Sequence, residues 1–188
     1  MTDPGPRTRR QDPERRERII AACLDVIAES GVAGTSHRRV AAAADVPLGS
    51  MTYHFSGMDE LLREAFGRFS AAMAGYFEQR MAEVRDRDQA KLELVSLIAA
   101  GDSYSRRDLV ITHELYTLAA REPAFRELTN AWMARSRTAL ERHFDPATAR
   151  MLDALIEGLT IHRALDTEPQ DRTIVTAAID RITQGPTG

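Results

Sequence analysis

The chain has 188 residues, of which 43% are hydrophobic and 28% charged, a balance typical of a soluble globular protein with an apolar core. No apolar run approaches the ~20 residues of a membrane-spanning helix, and the polar N-terminus lacks the pattern of a secretory signal. Because a single cysteine also excludes an internal disulfide framework, we expect a cytoplasmic protein without a membrane partner. The net charge of −3 provides no overall attraction to nucleic acid, so any such binding must come from local charge.

Basic side chains are concentrated at the start of the chain. Six arginines lie between residues 7 and 18, and Arg38 and Arg39 follow. The pattern predicts a disordered basic arm over residues 1–13, whose positive charge could attract a polyanion. A solvated tail without any binding role explains residues 1–11 equally well.

Helical periodicity follows this arm. In "ERIIAACLDVIAESG" the apolar side chains share one face, and Gly31 is a natural helix end. A second helix is expected over about 36–44. After a turn at 45–47 the sequence predicts a short third helix over 48–55, with Pro47 at or near its first position.

Six more helices are predicted beyond this point. A capping box of Ser56 and Asp59 begins a long fourth helix that continues to about Arg85. The signals for the other five are, in chain order, a stop at Gly101, a capping box of Ser105 and Asp108, Pro123 at a first position, the cap Asp145 before Pro146, and the periodic run "DRTIVTAAIDRIT" before a Gly/Pro tail at 185–188. Strand patterns are absent, so the predicted fold class is all-α with about nine helices.

The first three helices have the arrangement of a helix-turn-helix. In this motif the second helix of the pair enters the DNA major groove by its N-terminal part, while the first crosses the backbone. On the short helix Met51 and Phe55 face the same way and can bury against Val40 and Leu24. The side chains expected to project outwards, towards bases or phosphates, are Gly49, Ser50, Thr52 and Tyr53.

Residues 31–66, "GVAGTSHRRVAAAADVPLGSMTYHFSGMDELLREAF", resemble the N-terminal domain of the TetR family of transcriptional regulators. The matching positions are Gly31, Thr35, Val40-Ala41, Asp45-Val46, Gly49, Met51, His54-Phe55 and Leu61. The resemblance extends over roughly residues 14–66. The chain departs from the family pattern where Pro47 replaces a capping hydroxyl, Thr52 an aromatic ring and Met58 a lysine.

The resemblance implies a set of DNA-facing positions: His37, Arg38, Arg39, Leu48, Gly49, Ser50, Thr52, Tyr53 and His54. Among them Arg38 is the best candidate for base recognition, because a guanidinium can bind guanine O6 and N7 together. Three positions keep a structural alternative. Arg39 could be a solvated structural residue, His54 a helix-end residue satisfied by backbone, and Leu48 an inward-packing side chain.

The resemblance also implies a division into a helix-turn-helix domain (14–57) and a ligand-binding and dimerisation domain (58–184). Polar and aromatic residues that could line an effector pocket are Tyr76, Tyr104, His113, Tyr116, Trp132 and Ser136, although each could equally be plain core or surface. Residues that could form a homodimer interface are Leu152, Leu155, Ile156, Leu159, Ile174, Ala178 and Ile182, although some must belong to the core of the subunit.

Patterns for enzymes are weak. "HELYT" at 113–117 has Thr117 where a zinc-binding helix needs a second histidine, and "GDSYS" at 101–105 lacks the second glycine and the preceding strand of a nucleophile elbow. We therefore expect no catalytic activity, metal or cofactor. The sequence predicts a homodimeric repressor that a small-molecule effector releases from a palindromic DNA operator. The alternative is a helical small-molecule-binding protein, or a small enzyme, without DNA readout.

Overall fold

The computed structural model describes residues 14–99 and 105–184. Within these two ranges the chain forms nine helices and no strands, which confirms the predicted all-α class. The helices are α1 (Arg15–Ser30), α2 (His37–Ala43), α3 (Gly49–His54), α4 (Met58–Ala82), α5 (Arg87–Ala99), α6 (Arg106–Arg121), α7 (Pro123–Leu140), α8 (Pro146–Leu165) and α9 (Arg172–Thr183). The predicted basic arm, Gly101, Tyr104 and the C-terminal tail lie outside the described residues.

Most helix ends follow the predicted local chemistry. Gly31 ends α1 with a φ of 68°, a left-handed conformation that favours glycine, and its N–H donates to Ile27 O. Ser105 and Asp108 form the predicted capping box at the start of α6. Asp145 caps α8 by accepting hydrogen bonds from two backbone N–H groups.

Two boundaries near the DNA-binding motif differ from the prediction. The helix α4 is capped by Gly57 and begins at Met58, so its third residue is Glu60 rather than Asp59. Glu60 therefore accepts the hydrogen bonds from the backbone N–H and hydroxyl of Ser56, at 2.7 and 2.6 Å. The helix α4 also ends at Ala82, three residues earlier than expected, and α3 begins at Gly49, so that Pro47 precedes it.

A first apolar core holds the helix-turn-helix against the rest of the molecule. Met51 and Phe55 of α3 and Val40 of α2 are buried as predicted, and Leu24 is partly buried beside them. The same core includes residues of α4, α6 and α7, among them the fully buried Leu115. The helix-turn-helix therefore shares its core with the helices behind it.

A second apolar core joins the end of α4, the helix α5, the end of α7 and the two last helices. Its fully buried members include Met81, Leu94, Leu140, Leu152 and Val175. No helix in the described part of the chain is both long and apolar enough to cross a lipid bilayer.

Candidate DNA-binding surface and ligand cavity

The helix α3 has a buried face that fixes it and an outer face open to solvent. Met51 and Phe55 anchor the buried face. On the outer face Tyr53 is 77% exposed and Leu48 is also exposed, so Leu48 does not pack inward. A Cβ atom built on Gly49 meets nothing within 4 Å, so the backbone is open there to a close approach by a ligand. Together with Thr52, these residues form what we call the outer face of α3.

Ser50 does not belong to this outer face. The sequence-based expectation that it projects outwards is wrong, because the residue is only 8% exposed. Residues 50 and 51 are buried, and one turn later His54 is half-buried and Phe55 buried. The buried arc of this six-residue helix is therefore wider than Met51 and Phe55 alone.

The two arginines of α2 have different surroundings. Arg39 donates hydrogen bonds to Gly34 O at 2.8 Å and to Ser30 Oγ at 2.7 Å, and so ties α2 to the turn that follows α1. Arg38 is exposed and makes no ion pair or hydrogen bond with the described part of the chain. Only Arg38 is therefore free to bind a partner without first breaking contacts within the protein.

Two histidines flank these residues. His37, the first residue of α2, is half-buried, and its Nε2 atom is buried without a hydrogen-bond partner among the described residues. His54 ends α3 and packs edge-on against the ring of Tyr53, with 4.9 Å between the ring centroids. The orientation of the exposed Tyr53 ring is thus partly set by its neighbour.

The C-terminal end of α3 is held from behind by Arg16. Its guanidinium lies 5.0 Å from the centroid of the Phe55 ring, and its Nη1 atom lies 3.1 Å from Glu64 Oε2 on α4. A cation over an aromatic face is attracted by the ring quadrupole. Arg16 therefore connects α1, the end of α3 and α4 at one point.

A separate cavity of about 60 Å³, which we call the central cavity, lies among α4, α5, α6, α7 and α8. Four of the residues predicted to line a pocket come together here: Tyr76, Tyr116, Trp132 and Ser136. His113, one turn before Tyr116 on α6, does not line the cavity. The lining residues that sequence reasoning missed are Met73, Phe77, Leu97, Met133, Asp153, Ile156, Glu157 and Thr160.

Two of the missed residues are carboxylates on α8. Asp153 Oδ2 lies 3.3 Å from Arg137 Nη1, yet burial raises the pKa of Asp153 against the effect of that guanidinium. Burial also raises the pKa of Glu157, and the hydrogen bond from the Tyr116 hydroxyl opposes this rise. The only sign of these two residues in the sequence is that they are acidic positions on an otherwise apolar helix. That sign does not identify a cavity residue unless the inward-facing side of α8 is known.

Tyr76 separates the central cavity from solvent on one side. Its side chain lines the cavity while the residue remains 38% exposed. Arg80, one turn later on α4, donates a hydrogen bond of 2.6 Å to the Tyr76 hydroxyl and also pairs with Glu93 on α5. Tyr76 is therefore held in place by contacts at the surface.

Matches to family models cover most of the described chain. The model of the bacterial regulatory proteins of the tetR family matches residues 19–65. The model of the tetracyclin repressor-like C-terminal domain matches residues 85–185, more than half of the chain. The chain belongs to the TetR family. Its members are transcriptional regulators rather than enzymes, and they generally bind DNA, respond to small ligands and act as dimers.

Among solved structures of this family, the protein SCO7518 of Streptomyces coelicolor A3(2) is 60% identical, with 91% of this chain and 99% of that chain covered and a TM-score of 0.85. The multidrug binding protein EbrR, solved with ethidium, is 34% identical over 92% of this chain and 99% of its own, with a TM-score of 0.75.

Two curated transcriptional regulators, BetI and CymR, have lower sequence identity to this chain. BetI of Burkholderia mallei is 27% identical over 166 residues, which are 84% of this chain and 85% of BetI. CymR of Pseudomonas putida is 29% identical over 128 residues, which are 68% of this chain but only 62% of CymR.

The predicted dimer residues divide into a buried and an outward-facing group in this TetR-family chain. Leu152 is fully buried in the second core, so its assignment to an interface is wrong, and Ile156 lines the central cavity. Ile174 is 61% exposed, whereas Leu155, Leu159, Ala178 and Ile182 are only partly buried, and three of these four (Leu155, Leu159 and Ile182) also pack against the second core. The sequence analysis missed Met151 and Leu165, two exposed apolar residues of α8, because helical periodicity alone cannot tell an inward from an outward apolar side chain.

The helix α6 contacts both the central cavity and the DNA-binding motif. The backbone N–H of Val32, just after α1, donates a 3.1 Å hydrogen bond to Glu114 Oε2. A Cβ atom on Gly31 would lie 2.6 Å from Glu114 Oε1, so the carboxylate of Glu114 would have to shift, and the positive φ is the stronger reason for glycine at this position. Two residues further along α6, Tyr116 lines the central cavity.

Proposed function

We propose that this TetR-family chain is a homodimeric repressor that binds a palindromic DNA operator with two copies of α3 and leaves it when a small molecule enters the central cavity. One observation supports this function above all. A short helix is anchored by Met51 and Phe55, while its outer face is open to solvent, and the neighbouring Arg38 has no contact within the described chain that DNA would have to displace.

Each candidate DNA contact has a role in this proposal. Arg38 recognises a base edge, and the outer face of α3, with Leu48, Gly49, Thr52 and Tyr53, lies in the major groove. His37 and His54 contact phosphates beside it. Arg39 acts by positioning α2, since its guanidinium is engaged by Gly34 and Ser30. Burial argues against any contact from Ser50.

The proposed dimer forms through an outward-facing apolar surface of α8 and α9. Its exposed members are Met151, Leu165 and Ile174, and its partly buried members are Leu155, Leu159, Ala178 and Ile182. Large apolar side chains clustered at the surface favour a protein interface. In the proposed division, residues 14–57 bind DNA while residues 58–184 bind the effector and the second subunit.

The central cavity is the proposed effector site. Crystal structures of the similar protein EbrR contain ethidium, proflavin or malachite green, and the aromatic lining of this cavity suits flat molecules of that kind. Its volume of about 60 Å³ is far below the roughly 300–1,000 Å³ of sites for drug-sized ligands. A ligand must therefore widen the cavity, and the flexible Met73 and Met133 are the side chains best able to move.

The helix α6 offers a route from this cavity to the DNA-binding motif. A ligand that displaces Tyr116 moves a helix that is hydrogen bonded to Val32 through Glu114 and paired with Asp25 of α1 through Arg107. Movement of α1 changes the position of α2 and α3, because the three helices share one core. The effector lowers operator affinity only if it binds the moved state more tightly.

A gel-shift titration with DNA flanking the protein's own gene tests the proposal. Specific retardation that weakens steeply with rising salt is expected, because contacts with phosphates release counterions. A protein that binds a small molecule without reading DNA would show no specific retardation at any salt concentration. The same assay with malachite green, another EbrR ligand and one that does not intercalate between base pairs as ethidium does, tests release, which should free the bound fragment.

A further inference from the structure

The two carboxylates of the central cavity differ in how their charge is balanced. Asp153 is paired with Arg137. Glu157, one turn further along α8, accepts a hydrogen bond from the hydroxyl of Tyr116 and has no ion pair with any residue that the structure describes. The cavity thus contains one acidic group with a cationic partner and one without.

We infer that the effector is a flat aromatic molecule carrying a single positive charge, and that Glu157 is the counter-ion for that charge. The inference rests on the proposed function, because it gives a ligand chemistry to the central cavity. It also assigns a binding residue on α8 that the sequence analysis did not select.

The sign of the charge follows from the cost of burying a carboxylate. An ionised carboxylate loses its hydration inside a protein and is unfavourable there unless a positive group or several donors compensate it. The rise in the pKa of Glu157 caused by burial is the response of the free protein to that cost. A cationic ligand removes the cost by pairing with Glu157, whereas an anionic ligand would meet two carboxylates at once.

The number of charges follows from Arg137. Its guanidinium already pairs with Asp153, so a second positive charge on the ligand would have to compete with Arg137 for that carboxylate. It would also lie close to the guanidinium and be repelled by it. The cavity is therefore matched to a monocation and selects against a dication of the same shape.

The aromatic character follows from the walls beside Glu157. The rings of Tyr116 and Trp132 lie 6.3 Å apart at 35° to each other, and Phe77 and Tyr76 line the same space. Aromatic faces attract cations, most strongly when the cation is poorly hydrated. A delocalised aromatic cation loses little hydration on entry, so these walls favour it over a compact ammonium ion.

Calorimetric and fluorescence titrations of the full chain test this inference. Ethidium is the reporter ligand. Three competitors share a two-ring frame and differ in charge and in N-methyl groups: neutral 4-phenylpyridine, singly charged N-methyl-4-phenylpyridinium, and doubly charged N,N′-dimethyl-4,4′-bipyridinium, all at a pH where the first is uncharged. The singly charged compound should displace ethidium at the lowest concentration. The change Glu157→Gln keeps the shape of the side chain and should weaken ethidium binding about tenfold or more.

Glu141→Gln is the matched control, because it removes the same charge from an exposed residue outside the cavity and should leave ethidium binding unchanged. Failure of ethidium to bind, equal binding to the Glu157→Gln protein, or preference for the neutral or doubly charged competitor would each overturn the inference. If a neutral aromatic molecule releases the operator, the proposed function stands and only the assignment of charge fails. If the chain does not bind DNA at all, the proposed function fails, whatever the titrations show.

Discussion

Arg38 and Arg39 are adjacent in the sequence but differ in what they can do for DNA recognition. Arg39 is engaged with the turn after α1, and Arg38 is free. Sequence reasoning preferred Arg38 for base readout and left Arg39 with two roles. The hydrogen bonds of Arg39 favour the structural role, because binding DNA through the same guanidinium would break them.

The change Arg38→Ala should lower affinity for the specific operator by about 1–3 kcal/mol, the usual worth of a bidentate contact with a base. The thermal unfolding temperature should stay the same, since the side chain is exposed. A gel-shift titration and a thermal melt measure the two effects. Arg142→Ala, which removes an exposed arginine remote from α3, is the control, and wild-type operator affinity in the Arg38→Ala protein would remove Arg38 from the contact set.

Glu157 also predicts a pH dependence of ligand binding. Its pKa in the free protein is raised, so a fraction of the carboxyl is protonated where an exposed glutamic acid would be ionised. A cation binds the ionised form, so affinity should rise with pH until Glu157 is fully ionised in the free protein. The charged and titratable groups of the cavity that face it are Asp153 on α8, Tyr116 on α6, Tyr76 on α4 and, through Asp153, Arg137 on α7.

Ethidium titrations from about pH 5 to pH 8 measure this dependence, because the range extends from just above the ordinary glutamic acid pKa to well beyond it. Tyrosine and arginine side chains do not normally titrate there, whereas Asp153, whose pKa burial also raises, contributes in the same direction. In the Glu157→Gln protein the increase of ethidium affinity with pH should be much smaller. An affinity that falls with pH in the wild-type protein would contradict the role given to Glu157.

At the level of helices, local chemistry predicted the boundaries well where a short-range signal decides them. The capping box of α6, the cap Asp145 and the stop at Gly31 were all read from neighbouring residues, and the structure confirms them. The start of α4 was misjudged by one residue. Ser56 has carboxylates both three and four residues ahead, and only the extended conformation of Gly57 decides that Glu60 accepts its hydrogen bonds.

The helix α6 supplies a prediction at this scale. Removing the Glu114 side chain breaks its hydrogen bond with Val32 but leaves the central cavity and α3 intact. The Glu114→Ala protein should therefore bind operator and malachite green nearly as the wild type does. It should need about tenfold more malachite green to release DNA, because the coupling free energy between the two sites falls.

Gel shifts at increasing concentrations of malachite green, which does not intercalate into the operator, measure the release, and direct titration measures ligand binding separately. Glu127→Ala, which removes an exposed glutamate of α7, should leave both unchanged. An unaltered release curve in the Glu114→Ala protein would show that the signal travels by another route.

At the level of the whole molecule, the proposed dimer brings two helix-turn-helix motifs together through the apolar surface of α8 and α9. Leu165 is 64% exposed in the single chain, which is unfavourable for a large apolar side chain in a patch unless a partner covers it. Leu165→Glu should convert the dimer to a monomer, because it would bury a carboxylate in the interface.

Analytical ultracentrifugation measures the mass of the Leu165→Glu protein in solution. A gel shift should show a large loss of operator affinity, because a monomer can contact only one half-site. Leu92→Glu is the matched control, because it introduces the same charge at an equally exposed leucine of α5 that neighbours Thr176 and Asp180 of α9 but is not a member of the proposed interface. A Leu165→Glu protein that remains dimeric would refute this assignment of the interface.

The sequence by itself determined the helical class, most helix ends and the position of the DNA-binding motif, because caps, stops and the spacing of Met51 and Phe55 act between residues close together in the chain. The tertiary structure alone decided which side chains share a space. It turned Ser50 and Leu152 inward, left Leu165 outside, and brought Glu157 to Tyr116 across the central cavity. An apolar or acidic residue on a helix has the same local pattern whichever neighbour it meets, and only the packing of the helices selects that neighbour.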